Sequence, residues 1–156
     1  MPLKNRRTAK EKFSKEWNEA SEDVLKRYPS VEDLVYTNRF SLERIKAKRA
    51  DAHDVIGGAA LGNLLRACKR LKGDVYDKAA CFMREIVQKH PFGSGNRRTA
   101  FLVAQTFLDT NGKKLNIEDN PSQSRTMLGV REGFYKAAEI TKWLRKGEIR
   151  EFKRKI

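Results

Sequence analysis

The residue types that build metal sites and disulfides are scarce in this sequence. It has two cysteines and two histidines among 156 residues. Neither cysteine belongs to a C-x-x-C pair, so a zinc site of cysteine and histidine ligands is disfavoured. Cys68 and Cys81 fall on apolar faces of predicted helices, and we expect both to be buried free thiols of a reducing cytoplasm.

Long apolar runs are also missing. No stretch approaches the roughly 20 consecutive apolar residues that a membrane-spanning helix needs. The opening residues MPLKNRRTAKEK lack the apolar core of a secretory signal. We therefore expect a cytoplasmic protein that makes no use of a membrane.

Acidic residues are in the minority. The chain has 34 lysines and arginines against 20 aspartates and glutamates, a formal net charge of +14. Such an excess suits a polyanionic partner, which could be nucleic acid, the phosphates of a nucleotide or an acidic protein. A solvated basic surface is the alternative, and no zinc-finger, RRM or KH signature singles out nucleic acid.

The clearest structural signal in the sequence is the helical spacing of its apolar residues. The length fits one domain, which can bury roughly two-thirds of the surface that the unfolded chain exposes. Apolar residues recur at helical intervals along most of the chain, and no convincing strand alternation appears. The sequence predicts an all-α bundle of about six to eight helices.

The helix boundaries follow from capping and breaking residues. Ser30 and Asp74 are predicted N-caps. The widest apolar stripe, over residues 75–87, indicates a central buried helix that Pro91 ends. The next helix starts near Asn96 and stops at Asn111-Gly112. A last helical region starts at residues 120–122 and is predicted to continue to about residue 147 on a shared apolar face of Met127, Val130, Phe134 and Ala138.

The loop between the two most apolar helices, together with the start of the second helix, reads HPFGSGNRRTAF, residues 90–101. Gly93 and Gly95 let the backbone approach a ligand closely. The helix that follows presents amide N–H groups without intrahelical partners at the positive end of its dipole. Asn96 adds a side-chain amide. The loop therefore has the features of a phosphate-binding nest.

Charged and titratable side chains flank this nest. Arg97 and Arg98 add positive charge, and a guanidinium can bond two phosphate oxygens at once. His90 precedes the loop, and an imidazole can accept a proton from an attacking hydroxyl. Together these groups suit phosphoryl or nucleotidyl transfer. The alternative is an ordinary loop in which glycine and asparagine only cap a helix and the histidine ends one.

The loop also resembles the signature of the Fic/Doc (Fido) family, histidine-proline-phenylalanine-x-[Asp/Glu]-glycine-asparagine-[Gly/Lys]-arginine. The matching positions are His90, Pro91, Phe92, Gly95, Asn96 and Arg98. The segments RTA and FLDTNGKKL are similar to the Doc, or death-on-curing, branch. The resemblance spans residues 30–147 and implies three parts: a basic N-terminal helical extension (1–29), the Fic/Doc-like domain (30–147) and a basic C-terminal tail (148–156).

The resemblance implies a role for each matching residue. His90 would be the general base that deprotonates a hydroxyl of a target protein, and Phe92 would anchor the loop in the core. The candidate contacts to nucleotide phosphates are Gly93, Ser94, Gly95, Asn96, Arg97 and Arg98.

The resemblance also implies substrates and partners. Fic members usually transfer AMP from ATP onto Ser, Thr or Tyr, and Doc members transfer the terminal phosphate onto a translation factor. We expect ATP as the nucleotide, Mg²⁺ as its companion, and a translation factor or GTPase as a possible target. The chain would then be a toxin of a toxin–antitoxin pair, with an antitoxin as a further partner.

Three positions depart from the family pattern. Ser94 stands at the acidic position that holds Mg²⁺, so metal binding there is predicted to be weak. Phe101 stands where many AMP-transferring members have a second arginine, which resembles the Doc pattern and favours transfer of the terminal phosphate. Arg97 keeps the positive charge of the Doc branch, either as a phosphate contact or facing solvent. The alternatives to a transferase are a nucleotide-binding pseudoenzyme and a basic nucleic-acid-binding protein.

Overall fold

The computed structural model describes residues 27–45, 55, 58–118 and 120–154. These residues form six α-helices and one isolated antiparallel bridge, between Val55 and Phe92. The helices are α1 (Val31–Ile45), α2 (Gly58–Arg70), α3 (Val75–Lys89), α4 (Asn96–Thr110), α5 (Ser122–Arg131) and α6 (Ala137–Lys146). The prediction of an all-α bundle is confirmed. Residues 1–26 of the predicted N-terminal extension lie outside the described part of the chain.

Local hydrogen bonds fix where two of these helices begin. The Ser30 hydroxyl accepts the Asp33 N–H at 3.1 Å, and the Asp33 carboxylate accepts the Ser30 N–H at 2.9 Å. Asp74 and Asp77 make the same reciprocal pair at the start of α3. Each pair satisfies two amides that the helix cannot satisfy itself. The two predicted N-caps are therefore confirmed.

Helix α3 lies at the centre of the bundle, as its wide apolar stripe predicts. It packs against α2, α4, α5 and α6. Ten of its fifteen residues are buried. The rings of Phe82 in α3 and Phe107 in α4 meet edge to face with centroids 5.2 Å apart. Because α3 ends at the HPF loop and α4 begins just after it, this core holds both sides of the loop rigidly.

A buried lysine joins α2 to α3. The Lys78 side chain is almost wholly buried, and its Nζ donates to the carbonyls of Leu71 at 2.6 Å, Lys69 at 2.8 Å and Cys68 at 3.3 Å. These carbonyls are at the C-terminal end of α2, where the helix leaves them unpaired and its dipole favours a cation. Lys78 thus caps α2 from the neighbouring helix.

The structure divides the predicted helical region that ends at about residue 147 into two helices. Helix α5 ends at Arg131, and α6 starts at Ala137. Gly133 adopts a positive φ of +75° in the intervening turn, a conformation open to glycine. The Glu139 side chain then accepts the Lys136 N–H at 2.9 Å and starts the new helix. Ala138, which we placed on the apolar face, is exposed.

Residues 148–154 of the predicted tail pack against the domain. Phe152 is buried and meets the Phe134 ring edge to face at 5.0 Å. The Tyr135 hydroxyl donates to the Arg150 carbonyl at 2.9 Å. These contacts hold the end of α5 and the turn after it against the C-terminal segment.

Both cysteines are buried free thiols, as predicted. Burial raises the pKa of the Cys68 thiol, since low polarity disfavours the thiolate. Among the described helices, none combines the length and the apolar character needed to cross a bilayer.

Candidate functional site

His90 ends α3 in an unusual conformation. Its φ and ψ are 55° and 54°, the left-handed region, and no other non-glycine residue in the described chain has a positive φ. Pro91 disfavours the right-handed helical conformation at the residue before it, and the His90 N–H still bonds to the Ile86 carbonyl at 3.1 Å. The helix therefore stops abruptly and leaves the imidazole exposed at its end. Strained backbone of this kind concentrates at functional sites.

The N-terminus of α4 faces the other side of the same loop. Gly95 is its N-cap, with φ +76°, and no side chain caps the helix there. The first helical bond runs from the Thr99 N–H to the Gly95 carbonyl at 2.9 Å. The amides of the first helical turn precede this bond, so they remain available to an anion at the positive end of the dipole.

Asn96 closes the loop on itself. Its side-chain oxygen accepts the Phe92 N–H at 3.1 Å, and its side-chain nitrogen donates to the Phe92 carbonyl at 2.9 Å. Phe92 is 0% exposed, so the loop is anchored in the core through both its ring and its backbone. We predicted the Asn96 amide as a phosphate donor, and in the structure that amide is mainly engaged in shaping the loop. A phosphate contact from Asn96 stays a prediction.

A second asparagine, from α1, holds the loop from outside. The Nδ2 of Asn38 donates to the Ser94 carbonyl at 2.9 Å and to the Thr99 hydroxyl at 3.0 Å. Asn38 and Thr99 are both 0% exposed. The loop is consequently tied to α1 and to the second turn of α4 through one buried side chain.

The loop opens onto a cavity of about 860 Å³. His90 and every predicted phosphate contact line it: Gly93, Ser94, Gly95, Asn96, Arg97 and Arg98. Phe101 and Leu102 line it from α4, and Leu115 and Ile117 from the connector after α4. The structure thus brings the predicted site residues together around one space, whose volume is within the range of pockets for nucleotide-sized ligands.

Helix α5 supplies the side of the cavity that the sequence did not reveal. Gln123, Ser124, Met127 and Arg131 all face it. Arg131 is exposed and adds a third arginine to the lining, after Arg97 and Arg98. The described lining contains arginines but no aspartate or glutamate, so its electrostatic potential favours an anion.

The donor set does not fit a metal that the protein itself would hold. Mg²⁺ is usually bound through one or two carboxylates together with substrate phosphates, and the described lining offers only the Ser94 hydroxyl at the position we predicted for the metal. Nor do the described residues contain a cluster of three or more histidine, cysteine, aspartate or glutamate side chains suited to a metal.

Comparison with protein families supports the motif. A sequence model of the Fic/DOC family matches residues 19–108, a span that includes the HPF loop and the whole of α3. The chain belongs to the Fic/DOC family. The match ends within α4, and the Arg131 side of the cavity lies beyond it.

Among curated Fic/DOC proteins, one relative is the toxin Doc of Mycolicibacterium smegmatis. It is 32% identical to this chain over 54 residues. The aligned segment covers 35% of this chain and 42% of the toxin. The chain therefore spans less than half the length of this curated relative.

Sequence reasoning missed two residues of this Fic/DOC site. Asn38 lies 56 positions before Ser94, and Arg131 lies in a helix that the loop does not adjoin in sequence. Neither residue belongs to the HPF motif, and neither stands at a sequence spacing typical of a ligand-binding motif. An asparagine on the mostly polar α1 and an arginine at a helix C-terminus are ordinary features of soluble helices, so only the packing of α1 and α5 distinguishes them.

Proposed function

We propose that this chain is a Fic/Doc-type transferase that moves AMP or the terminal phosphate of a nucleotide, ATP in the first instance, onto a hydroxyl of a target protein. The observation that carries the proposal is the shared cavity. The imidazole of His90, the N-terminus of α4 and the two arginines in the first turn of α4 all line it. A proton acceptor, amide donors and fixed cations around one space are what phosphoryl transfer requires.

The chemistry divides among these groups. The target hydroxyl oxygen forms a bond to the α- or γ-phosphorus, and its proton passes to His90. The bond to pyrophosphate or to the nucleoside diphosphate breaks. Gly95, Asn96 and Arg98 stabilise the charge on the phosphoryl oxygens, by amide and guanidinium hydrogen bonds. Magnesium belongs to the substrate in this proposal and enters bound to the nucleotide.

Transfer of the terminal phosphate is the favoured form. Phe101 lines the cavity and puts an apolar ring where many AMP-transferring members have an arginine. The similarity to the toxin Doc of M. smegmatis supports the same branch. A toxin of a toxin–antitoxin pair, neutralised by an antitoxin and directed at a translation factor or another GTPase, follows from that similarity as part of the proposal.

ATP labelled at either the α or the γ phosphate tests the reaction. The protein is incubated with cell extract and each labelled ATP, and labelled proteins are separated. Label from γ alone means phosphorylation, and label from α means AMP transfer. Label from neither, with ATP still bound, would contradict the transferase and leave a nucleotide-binding protein, for which the missing carboxylate at Ser94 is the structural reason.

His90→Asn is the variant that isolates the base. Asparagine tolerates the left-handed conformation at this position, so the loop keeps its shape while the imidazole is lost. We expect transfer to disappear and ATP binding to remain. Retained transfer would remove His90 from its assigned role. Both proteins are also expressed in the cells that supplied the extract. Growth arrest by the wild type but not by His90→Asn would support the proposal that the chain is a toxin.

A further inference from the structure

We infer that Asn38 is a positioning residue of the site, which turns the peptide between Ser94 and Gly95 so that the Gly95 N–H points into the cavity. The inference rests on the proposed function, since it assigns that N–H to an anionic substrate. Asn38 is fully buried in α1 and donates to the Ser94 carbonyl at 2.9 Å. Asn38 itself is not one of the described residues that line the cavity.

The direction follows from the geometry of the peptide bond. In a planar trans peptide the C=O of one residue and the N–H of the next point in opposite directions. The Ser94 carbonyl points at α1, because Asn38 bonds to it there. The Gly95 N–H must then point away from α1. Gly95 lies against α1 and also lines the cavity, so the direction left to its N–H is toward the cavity.

The neighbours of Gly95 show how closely α1 approaches. A Cβ built at Gly95 would lie 3.0 Å from Leu42 Cδ2 and 3.4 Å from Asn38 Nδ2. The second hydrogen bond of Asn38, to the Thr99 hydroxyl at 3.0 Å, fixes the amide relative to α4. The orientation of the Ser94–Gly95 peptide is therefore fixed before any substrate binds, so reorienting it does not reduce the binding free energy.

The loop would adopt another orientation without this donor. Glycine accepts either sign of φ, so the Ser94–Gly95 peptide can flip at low cost. An ionised aspartate at position 38 cannot donate to the Ser94 carbonyl but can accept an N–H. In Asn38→Asp the carboxylate would bond to the Gly95 N–H, and the flipped peptide would present a carbonyl oxygen to the anion.

Amide hydrogen exchange and pyrophosphate binding, both followed by NMR, test the inference. In the free wild type we expect the Gly95 N–H to exchange rapidly and its signal to shift downfield when pyrophosphate is added. In Asn38→Asp we expect slowed exchange at Gly95, no shift, and pyrophosphate affinity weaker by at least about tenfold, as for removal of one preorganised donor. Slow exchange at Gly95 in the free wild type would overturn the inference without any variant.

Ser41→Ala is the matched control. Ser41 lies almost one turn further along α1, is fully buried, and its hydroxyl has no hydrogen-bond partner in the described structure. We expect it to leave Gly95 exchange and pyrophosphate affinity unchanged. Equal losses in Asn38→Asp and Ser41→Ala would reduce Asn38 to a packing residue. If the wild type exchanges rapidly at Gly95 but binds neither pyrophosphate nor ATP, the proposed function fails while the peptide orientation stands.

Discussion

Replacing Gly95 by alanine should lower the free energy of unfolding for two reasons, backbone strain and crowding of the added Cβ. The backbone has φ +76°, and an L-residue in the left-handed region costs roughly 1–2 kcal/mol. The added Cβ would also meet Leu42 at 3.0 Å and Asn38 at 3.4 Å. The distance to Asn38 is an ordinary van der Waals contact, so the crowding comes from the Leu42 methyl, which must shift by a few tenths of an ångström. Crowding should therefore add about 1 kcal/mol or more.

Gly112→Ala measures the backbone cost alone. Gly112 has φ +77°, and a Cβ there would have no atom within 4 Å. We expect it to lower the free energy of unfolding by roughly 1–2 kcal/mol and to leave anion binding unchanged. Gly95→Ala should lower the free energy of unfolding by roughly 2–3 kcal/mol.

Urea unfolding and calorimetric titration with pyrophosphate complete the comparison. Because the Cβ pushes the loop away from α1, Gly95→Ala should weaken pyrophosphate binding by about tenfold, or 1.4 kcal/mol. Equal destabilisation in the two variants would refute the packing of Gly95 against α1. Undiminished pyrophosphate affinity in Gly95→Ala would refute its place in the anion site.

Ser94→Asp restores a carboxylate at the metal position, and we expect higher transferase activity with ATP and Mg²⁺; unchanged or lower activity would count against it. Arg131→Gln removes a cation from the cavity and should weaken pyrophosphate binding about fivefold. Arg70 lies outside the cavity, so Arg70→Gln should leave the affinity unchanged. Equal losses in the two variants would mean that net charge, and not the position of Arg131, sets the affinity. A hydrogen bond from Arg150 holds the pKa of Glu139 below its ordinary 4.5. As pH falls below 4.5, Glu139 therefore binds a proton more readily in the unfolded chain than in the folded chain, and the free energy of unfolding declines. Glu139→Gln should make that decline shallower in urea titrations from pH 6 to 3, and an identical decline would refute the pairing.

The sequence alone determined the features that depend on near neighbours. The N-caps at Ser30 and Asp74, the break at Pro91 and the start of α4 at Asn96 all involve residues within about four positions of one another, and side-chain type suffices to predict such contacts. The all-α class follows from the apolar spacing for the same reason. The motif placed its histidine, glycines and arginines within nine consecutive residues (90–98), so their meeting at one cavity needed no knowledge of packing.

Local signals were insufficient where two periodic segments abut. Residues 122–147 keep an apolar repeat through the turn at Gly133, so the pattern predicted a helical region without marking the break between α5 and α6. Asn96 was predicted as a phosphate donor, because its type suits that role. The buried Phe92 backbone, which needs both a donor and an acceptor, engages that amide as well, and the motif alone did not reveal this second role.

The tertiary structure alone decided which distant residues surround the loop. Asn38 reaches Ser94 across 56 positions, and Arg131 reaches the cavity because α5 packs against α3. Such contacts depend on how whole helices bury their apolar faces against one another, and the polar residues that meet as a result carry no mark in the sequence. The chemical groups of the site can therefore be predicted from twelve consecutive residues, while the orientation of the loop and the shape of its cavity are set by the packing of the bundle.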